Sequence, residues 1–271
     1  MKTILVPIDL SPLATAALPV AVSLAKQLGA EVRVLHYLAL SILDPELSQA
    51  PVAMAQYINE QTRAANVRLQ EICDQYASAD VQLTPVLSRS VKGLYGAIAD
   101  EAADLVVLAS HGSDGLSEWL IGSNAEHVMD VVDCPVLVVK QSYTEFMPKK
   151  VLFAIDANDR LKTQFSYPLP GAATHKEFLF INTPNEPRAP EGIREWMSEL
   201  AKARQLTDYH LTIISYQTEH EAIIQFAEQN GFDLIVLFTS QRRGFWHFFN
   251  GSVAEDVVNH SPIPILAIPY Q

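Results

Sequence analysis

The feature that most constrains the fold of this chain is a stretch that occurs twice. The first copy is Asp104–Ser123 (DLVVLASHGSDGLSEWLIGS) and the second is Asp233–Ser252. Each copy begins with a short apolar run and ends at a Gly-Ser that opens a helical pattern. A short apolar run bounded in this way is typical of a buried strand. The sequence therefore predicts two related halves, each with a buried strand, a loop and a helix.

The repeat extends to the beginning of each half, since Lys2–Asp9 (KTILVPID) returns as Lys149–Asp156 (KKVLFAID). We predict one domain over residues 1–143 and a second, shorter one over residues 149–271. The second half is shorter between its second and fourth strands, and we expect this deletion to remove the loop equivalent to Ala39–Pro51.

Strand and helix patterns alternate along the first half, which predicts a parallel sheet covered by helices on both faces. The predicted strands are Thr3–Ile8, Glu31–Leu38, Val81–Leu87, Leu105–Ala109 and Pro135–Val139, and the predicted helices are Ser11–Leu28, Ala53–Tyr76, Lys92–Ala103 and Ser123–Val132. In the second half, Pro168 and Pro170 interrupt Asn158–Lys176. Proline breaks a helix interior, so we expect an irregular or much shortened first helix there.

Charge and composition exclude several classes of partner. The formal net charge is −12, which argues against general binding of nucleic acid or anionic membranes. The uncharged segment Leu10–Ala25 is not a signal peptide by our interpretation, because helical spacing and prolines run through it. Without a membrane-spanning run, we expect a cytoplasmic protein. Cys73 and Cys134 are expected to be free thiols.

Three positions with groups suited to ligand binding lie at the predicted carboxyl ends of strands: Asp9, His36–Tyr37 and the loop from Ala109. Ligands of open parallel sheets bind at this edge. In the loop, Gly112 allows close backbone approach, and the helix start at Gly122-Ser123 suits an anion. Each feature also has a structural explanation as a turn former or helix cap, and Ser123–Glu126 fits a capping box. Together they favour a nucleotide site.

These residues carry a family resemblance. Ala109-Ser110-His111-Gly112, followed after nine residues by Gly122-Ser123, is similar to the ATP motif of universal stress proteins, G-x2-G-x9-G-[S/T]. Ala109 stands where the first glycine is usual. The segments TILVPIDLSPLA, VRVLHY and CPVLVVK also resemble strands of that family. The whole chain resembles a tandem universal stress protein.

The resemblance implies two Rossmann-like (adenine nucleotide alpha hydrolase-like) α/β domains, each with a five-stranded, mainly parallel sheet. It implies ATP, or AMP or ADP, as ligand, with Mg²⁺ or Mn²⁺ left open. Asp9 would meet the ribose, and the Tyr37 backbone would meet the adenine edge. The implied nucleotide-binding residues are Pro7, Ile8, Asp9, Tyr37, Leu108, Ala109, His111, Gly112, Gly122, Ser123 and Asn124. The fifth strands would pair antiparallel as an intramolecular pseudo-dimer, and a homodimer is left open.

The loop Ser110–Ile121 contains no lysine or arginine. Phosphate charge would have to be met by backbone N–H groups, His111 and a metal, so we expect modest affinity. A metal shared by His36 and His111 is the weaker interpretation of those residues, because hydrogen-bonded structural histidines are commoner. No general base is evident, so we do not assign an enzyme, although a slow ATPase is a third hypothesis.

The second half departs from the motif at two positions: Phe238 replaces Ala109 and Gln241 replaces Gly112. We therefore predict no ATP there. The segment Gln241–Phe249 (QRRGFWHFF) either fills the vacated pocket or forms a partner surface. The alternative for the whole chain is an interaction module that binds no nucleotide, with both sites degenerate.

Overall fold

The structure is a computed structural model that describes residues 1–39, 51–110, 123–141, 143–169, 173–185, 187–240 and 251–270. In this part of the chain, strands and helices alternate as the sequence predicts. The strands are β1 Thr3–Ile8, β2 Glu31–Tyr37, β3 Leu83–Ser88, β4 Leu105–Ala109, β5 Val136–Val139, β6 Lys150–Ile155, β7 His175–Asn182, β8 Tyr209–Ser215, β9 Leu234–Ser240 and β10 Ile265–Tyr270.

The helices of the described residues lie between these strands. They are α1 Ala17–Leu28, α2 Pro51–Tyr76, α3 Gly93–Asp100, α4 Ser123–Val131, α5 Arg160–Gln164, α6 Pro190–Arg204, α7 Glu219–Gln229 and α8 Gly251–His260. A short 3₁₀ helix, Ala14–Ala16, precedes α1. Each half is thus an α/β unit of the expected class.

All described strands form one continuous sheet in the order β3-β2-β1-β4-β5-β10-β9-β6-β7-β8. The pairs within each half are parallel, as expected. The halves meet where β5 and β10 pair antiparallel, with Leu137 opposite Leu266. This antiparallel pairing of the fifth strands is the one implied by the family resemblance.

Helices cover both faces of the sheet, so the core has two layers. On one face, α1, α2, α5 and α6 bury side chains such as Leu18, Leu69 and Trp196 against the strands. On the other face, α3, α4, α7 and α8 bury Ile98, Val128 and their neighbours. Both layers run across the junction, because residues of the two halves belong to the same clusters.

The first helix of the chain starts later than the predicted Ser11. The Ser11 hydroxyl caps the 3₁₀ turn by accepting the N–H of Ala14 at 3.2 Å. Regular α-helix begins at Ala17, because Pro19 has no N–H to donate to the turn before it. The helix ends as predicted at Gly29, which adopts a left-handed conformation with φ 62°.

The second half has the shortened first helix that its prolines predict, since α5 comprises 5 residues and α1 comprises 12. Aromatic side chains occupy the face that this helix would have covered. Phe153, at the repeat position of Val6, stacks on Phe178 with ring centroids 4.8 Å apart, and Phe165 and Tyr167 pack on Phe153. Large rings replace the lost helix as the cover of the core.

The deletion in the second half is not confined to the loop, so our expectation on this point was wrong. α2 comprises 26 residues and its counterpart α6 only 15. Both helices end shortly before the next strand, so the additional residues of α2 lie at its start, near the carboxyl edge of the first half. A helix tolerates removal of whole turns at an exposed end because few core contacts are lost.

Candidate functional site

The strand order of the first half reverses between β1 and β4, and at such a switch point an open α/β sheet has a crevice at the carboxyl ends of its strands. β1 and β2 pair along all of β1, whereas the paired register of β1 with β4 covers only Ile4–Leu5 and Leu105–Val106. Beyond these pairs the two strands continue to their carboxyl ends, Pro7–Asp9 on one side and Leu108–Ala109 on the other. The structure therefore brings these predicted site residues to opposite sides of one crevice, at the position where open α/β sheets bind ligands.

Asp9 lies at the end of β1 and holds the turn that follows. One carboxylate oxygen, Oδ1, accepts the N–H of Ser11 at 2.9 Å. Leu10 between them has a positive φ of 65°, a conformation that leucine rarely adopts. Asp9 thus has the structural role that the sequence left open. An ionised carboxylate accepts several hydrogen bonds, so this role leaves acceptor capacity for a ligand.

The end of β2 is fixed by side-chain hydrogen bonds to its neighbours. His36 Nδ1 lies 3.0 Å from the carbonyl oxygen of Ile8, which makes His36 a structural histidine that joins β2 to β1. The Tyr37 hydroxyl donates to the carbonyl of Ser90 at 3.4 Å. Both contacts stiffen the wall of the crevice beside Pro7–Asp9, which is what a preformed binding site requires.

Ala109 occupies the position of the motif's first glycine without strain. It is the last residue of β4, pairs with Val139 of β5, and is absent from the described residues with positive φ. Both Leu108 and Ala109 are buried, at 4% and 3% exposure. A glycine is favoured where the backbone is left-handed, and the backbone at this strand position is not left-handed. The departure from the motif is therefore compatible with the local backbone.

The rest of the predicted loop is described only in part. His111, Gly112 and Gly122 lie outside the described residues, as does the segment Gln241–Phe249. The backbone of Ser123 and Asn124 forms the start of α4. A helix start presents unbonded N–H groups and the positive end of the helix dipole.

Glu126, in the first turn of α4, lies across from its repeat counterpart Glu255. Burial raises the pKa of Glu126, and the charge of Glu255 raises it further. The two helices α4 and α8 contact each other, so this first turn faces the second half.

Lys140, which the sequence did not point to, lies next to the predicted loop. It follows β5, and its Nζ lies 3.4 Å from the Oγ of Ser110, the residue directly after Ala109. The same Nζ donates to the carbonyl of Val258 in α8. Burial lowers the pKa of Lys140 to about 8. The sequence offered one sign only, a lysine at the end of the apolar run PVLVVK.

The equivalent position in the second half is filled by side chains. Phe238, in the place of Ala109, is 2% exposed and packs on Phe165 and Tyr270 at centroid distances of 5.6 and 6.2 Å. The Tyr270 hydroxyl donates to Oδ1 of Asp156 at 3.3 Å. Burial raises the pKa of Asp156. The carboxylate that corresponds to Asp9 thus has a tyrosine hydroxyl as a hydrogen-bond partner.

Asp156 nevertheless keeps the turn of its counterpart. Its Oδ1 accepts the N–H of Asn158 at 3.0 Å, and Ala157 has a positive φ of 54°. The turn therefore belongs to the fold of both halves, and the hydrogen bond from Tyr270 distinguishes Asp156.

Other functional groups in the described part of the chain are sparse. No cluster of three or more His, Cys, Asp or Glu residues there is arranged to hold a metal ion. Cys73 and Cys134 are free, and burial raises the pKa of their thiols to about 11 and about 12, which disfavours the reactive thiolate. None of the helices described combines the length and apolar character needed to cross a membrane.

Solved structures share this architecture over nearly the whole chain. A universal stress protein from Archaeoglobus fulgidus superposes with a TM-score of 0.73 at 20% identity, covering 99% of this chain and 98% of that one. The protein PA1789 from Pseudomonas aeruginosa superposes with a TM-score of 0.61 at 18% identity, covering 100% and 93%. At these identities the likeness shows the fold.

Sequence relatives match about half of the chain. The universal stress protein Sll1388 of Synechocystis is 31% identical over 150 residues, which cover 51% of this chain and 96% of that protein. YxiE, a universal stress protein of Bacillus subtilis, is 27% identical over 143 residues, or 50% and 97%. A sequence model of the universal stress protein family matches residues 1–140 and 184–269. The chain therefore belongs to the universal stress protein family.

Proposed function

We propose that the first half binds an adenine nucleotide, with ATP as the principal ligand, and that the chain acts as a nucleotide-responsive regulator in a stress response. The observation that carries this proposal is the crevice between β1 and β4, with Asp9 on one side and Ala109 on the other. It lies at the switch point of the sheet, where the chemistry of a parallel α/β fold favours ligands.

We propose a ligand contact for each group of residues around the crevice. Pro7–Ile8 lies beside the adenine, and the carboxylate of Asp9 accepts hydrogen bonds from ribose hydroxyls. The Tyr37 backbone bonds the adenine edge. Leu108 and Ala109 line the opposite side. The start of α4 at Ser123 supplies backbone N–H groups for phosphate, as helix N-termini do.

The remaining motif residues, His111, Gly112, Gly122 and Asn124, complete the proposed phosphate site. Mg²⁺ or Mn²⁺ would neutralise part of a triphosphate's charge, and carboxylate and phosphate oxygens are the ligands that such ions prefer. We assign no protein ligand to such an ion, because Asp9 is proposed to meet the ribose. We propose no role for a metal beyond charge neutralisation.

We propose one nucleotide per chain. In the second half, Phe238 and Tyr270 occupy the space beside Asp156. A ligand there would have to displace a packed ring and strip the carboxylate of its hydroxyl partner. Both changes cost free energy, since a buried phenylalanine contributes several kcal/mol, about 3–5, to stability.

The test is titration of the purified protein with ATP by isothermal calorimetry, with and without Mg²⁺ or Mn²⁺, up to millimolar nucleotide. We expect saturable binding with a stoichiometry of one. Gly122→Val should abolish binding, because a side chain at the helix start obstructs the approach of phosphate. Gly251→Val is the matched control, since Gly251 opens α8 at the equivalent position and should leave binding intact.

Absence of ATP binding at millimolar concentration under all these conditions would refute the proposal. The chain would then be better explained as an interaction module with two degenerate sites. Equal loss of binding in the Gly122 and Gly251 variants would show that both glycines act through the fold.

A further inference from the structure

The side chain of Lys140 connects the base of the proposed phosphate loop to the other half of the chain. Its ammonium contacts the Ser110 hydroxyl and donates to the Val258 carbonyl. A lysine ammonium carries three N–H donors. Two of them are thus used by the described residues, and both contacts lie at the carboxyl end of the first-half sheet.

The antiparallel junction explains why a residue of the second half reaches this point. β10 runs opposite to β5, so the end of β5 lies beside the beginning of β10. Helix α8 precedes β10 and ends near its beginning, at His260. The last carbonyls of a helix have no partner within the helix and attract cations. Val258 belongs to this last turn.

Among the residues that the structure describes, the connection exists on one side of the junction only. In the repeat, Ser110 corresponds to Thr239 and Lys140 corresponds to Pro269. A proline carries no ammonium, so the second half has no equivalent of this contact. The lysine therefore accompanies the half with the open crevice and is missing from the half whose site is filled by aromatic rings.

Lys140 can supply positive charge that the proposed phosphate loop lacks. The loop Ser110–Ile121 has no lysine or arginine, yet a nucleotide triphosphate bound there brings several negative charges. Among the ion pairs of the described residues none involves Lys140. Burial lowers the pKa of this lysine. A partly buried cation is stabilised by an anion that binds beside it.

We infer that Lys140 is a phosphate-binding residue of the first half, held in place by Ser110 and Val258 and offering its third N–H donor to a phosphate of the bound nucleotide. This inference rests on the proposed function. It adds a cationic residue that lies outside the loop motif, and it makes the second half a structural part of the first half's site through α8.

A purely structural role makes a different prediction. If Lys140 only closes the end of α8, its removal lowers stability and affects all ligands of the first half alike. If it binds phosphate, the loss of affinity increases with the number of phosphates. The ratio of ATP to AMP affinity separates the two roles, because a change in the folded fraction cancels in that ratio.

The experiment compares the binding of adenosine, AMP, ADP and ATP by the full chain and by Lys140→Met and Lys140→Arg. We expect Lys140→Met to weaken ATP binding by about 10- to 100-fold, the range of a charge-assisted hydrogen bond. ADP should be affected less and adenosine hardly at all. Lys140→Arg keeps the charge and should recover much of the ATP affinity.

Lys150→Met is the matched control. Lys150 also donates to a carbonyl at a helix end, that of Asn230 after α7, but it lies at the start of β6, away from the crevice. Its loss should leave the ATP to AMP ratio unchanged. A uniform effect of Lys140→Met on all four ligands, or none, would overturn the inference while the proposed function stands. Failure of the unmodified chain to bind any nucleotide would overturn both.

Discussion

The two halves differ at one equivalent strand position, which holds Ala109 in the first half and Phe238 in the second. The role of each side chain can be tested by replacing it with the other. Phe238 is 2% exposed and packs on Phe165 and Tyr270, on the face where α5 has only 5 residues. Ala109 is also buried, but on a strand that α1 contacts. The same strand position therefore has room for a ring in one half and for a methyl group in the other.

Phe238→Ala should lower the free energy of unfolding by about 4 kcal/mol, within the usual range of about 3–5 kcal/mol for a buried phenylalanine. The value is expected above the lower end of that range, because two aromatic neighbours lose their partner. Total stabilities are about 5–15 kcal/mol, so the variant should retain its fold with a much lower urea midpoint. It should still bind one nucleotide per chain.

Ala109→Phe should be the more harmful exchange for function. The ring has no vacant volume beneath α1, and overpacking of this kind costs about 1–3 kcal/mol or more. The displaced end of β4 should also close the crevice and abolish ATP binding. Urea unfolding followed by fluorescence, with the slope compared between variants, and calorimetric titration with ATP measure both effects.

Two results would refute this reasoning. A loss below about 1.5 kcal/mol for Phe238→Ala would mean that the ring is not a structural replacement for the missing helix. Unchanged ATP affinity in a folded Ala109→Phe variant would mean that the end of β4 does not border the nucleotide.

Three further predictions concern single groups of the two sites. Ala109→Gly should leave ATP affinity within about twofold and lower stability by about 0.5–1 kcal/mol, since glycine weakens a strand and no positive φ is needed here; calorimetry and urea unfolding test this. The pKa of Lys140 is lowered from 10.5 to about 8, so the folded state binds fewer protons than the unfolded state between these values. Stability relative to Lys140→Met should therefore rise by about 2 kcal/mol between about pH 7.5 and 9.5, and a flat difference would contradict the burial of its charge. Burial raises the pKa of Asp156, so Asp156→Asn should increase stability at neutral pH and lose this advantage in acid, as urea unfolding at the two pH values would show. Asp9→Asn should instead weaken ATP binding by about tenfold. The opposite assignment of these two effects would exchange the roles of the halves.

The strands could be predicted because their signal is local. Leu105–Ala109 was predicted with the bounds that the structure gives, since an apolar run between polar residues depends on few distant contacts. The internal repeat then extended the prediction to the second half. The shortened helix α5 followed from prolines, which act through their own backbone and need no tertiary context.

The parts that the sequence did not predict depend on contacts between distant segments. The sequence alone does not show that the deletion in the second half shortens a helix, which is seen only when the bounds of α2 and α6 are compared. The hydrogen bond from Tyr270 to Asp156 joins the last strand of that half to its first strand. Such a pair can be found only when the strand order is known.

The position of Lys140 shows what the degenerate half contributes. The second half has changed its loop chemistry but has kept the Gly-Ser start and the whole of α8. A helix kept only to cover the sheet would need its buried face, Val253, Ala254, Val257 and Val258. Its free C-terminal carbonyl, however, holds the ammonium beside Ser110, and the antiparallel junction is what brings the two together. On our inference that Lys140 binds phosphate, the second half therefore contributes to the proposed site of the first half through α8.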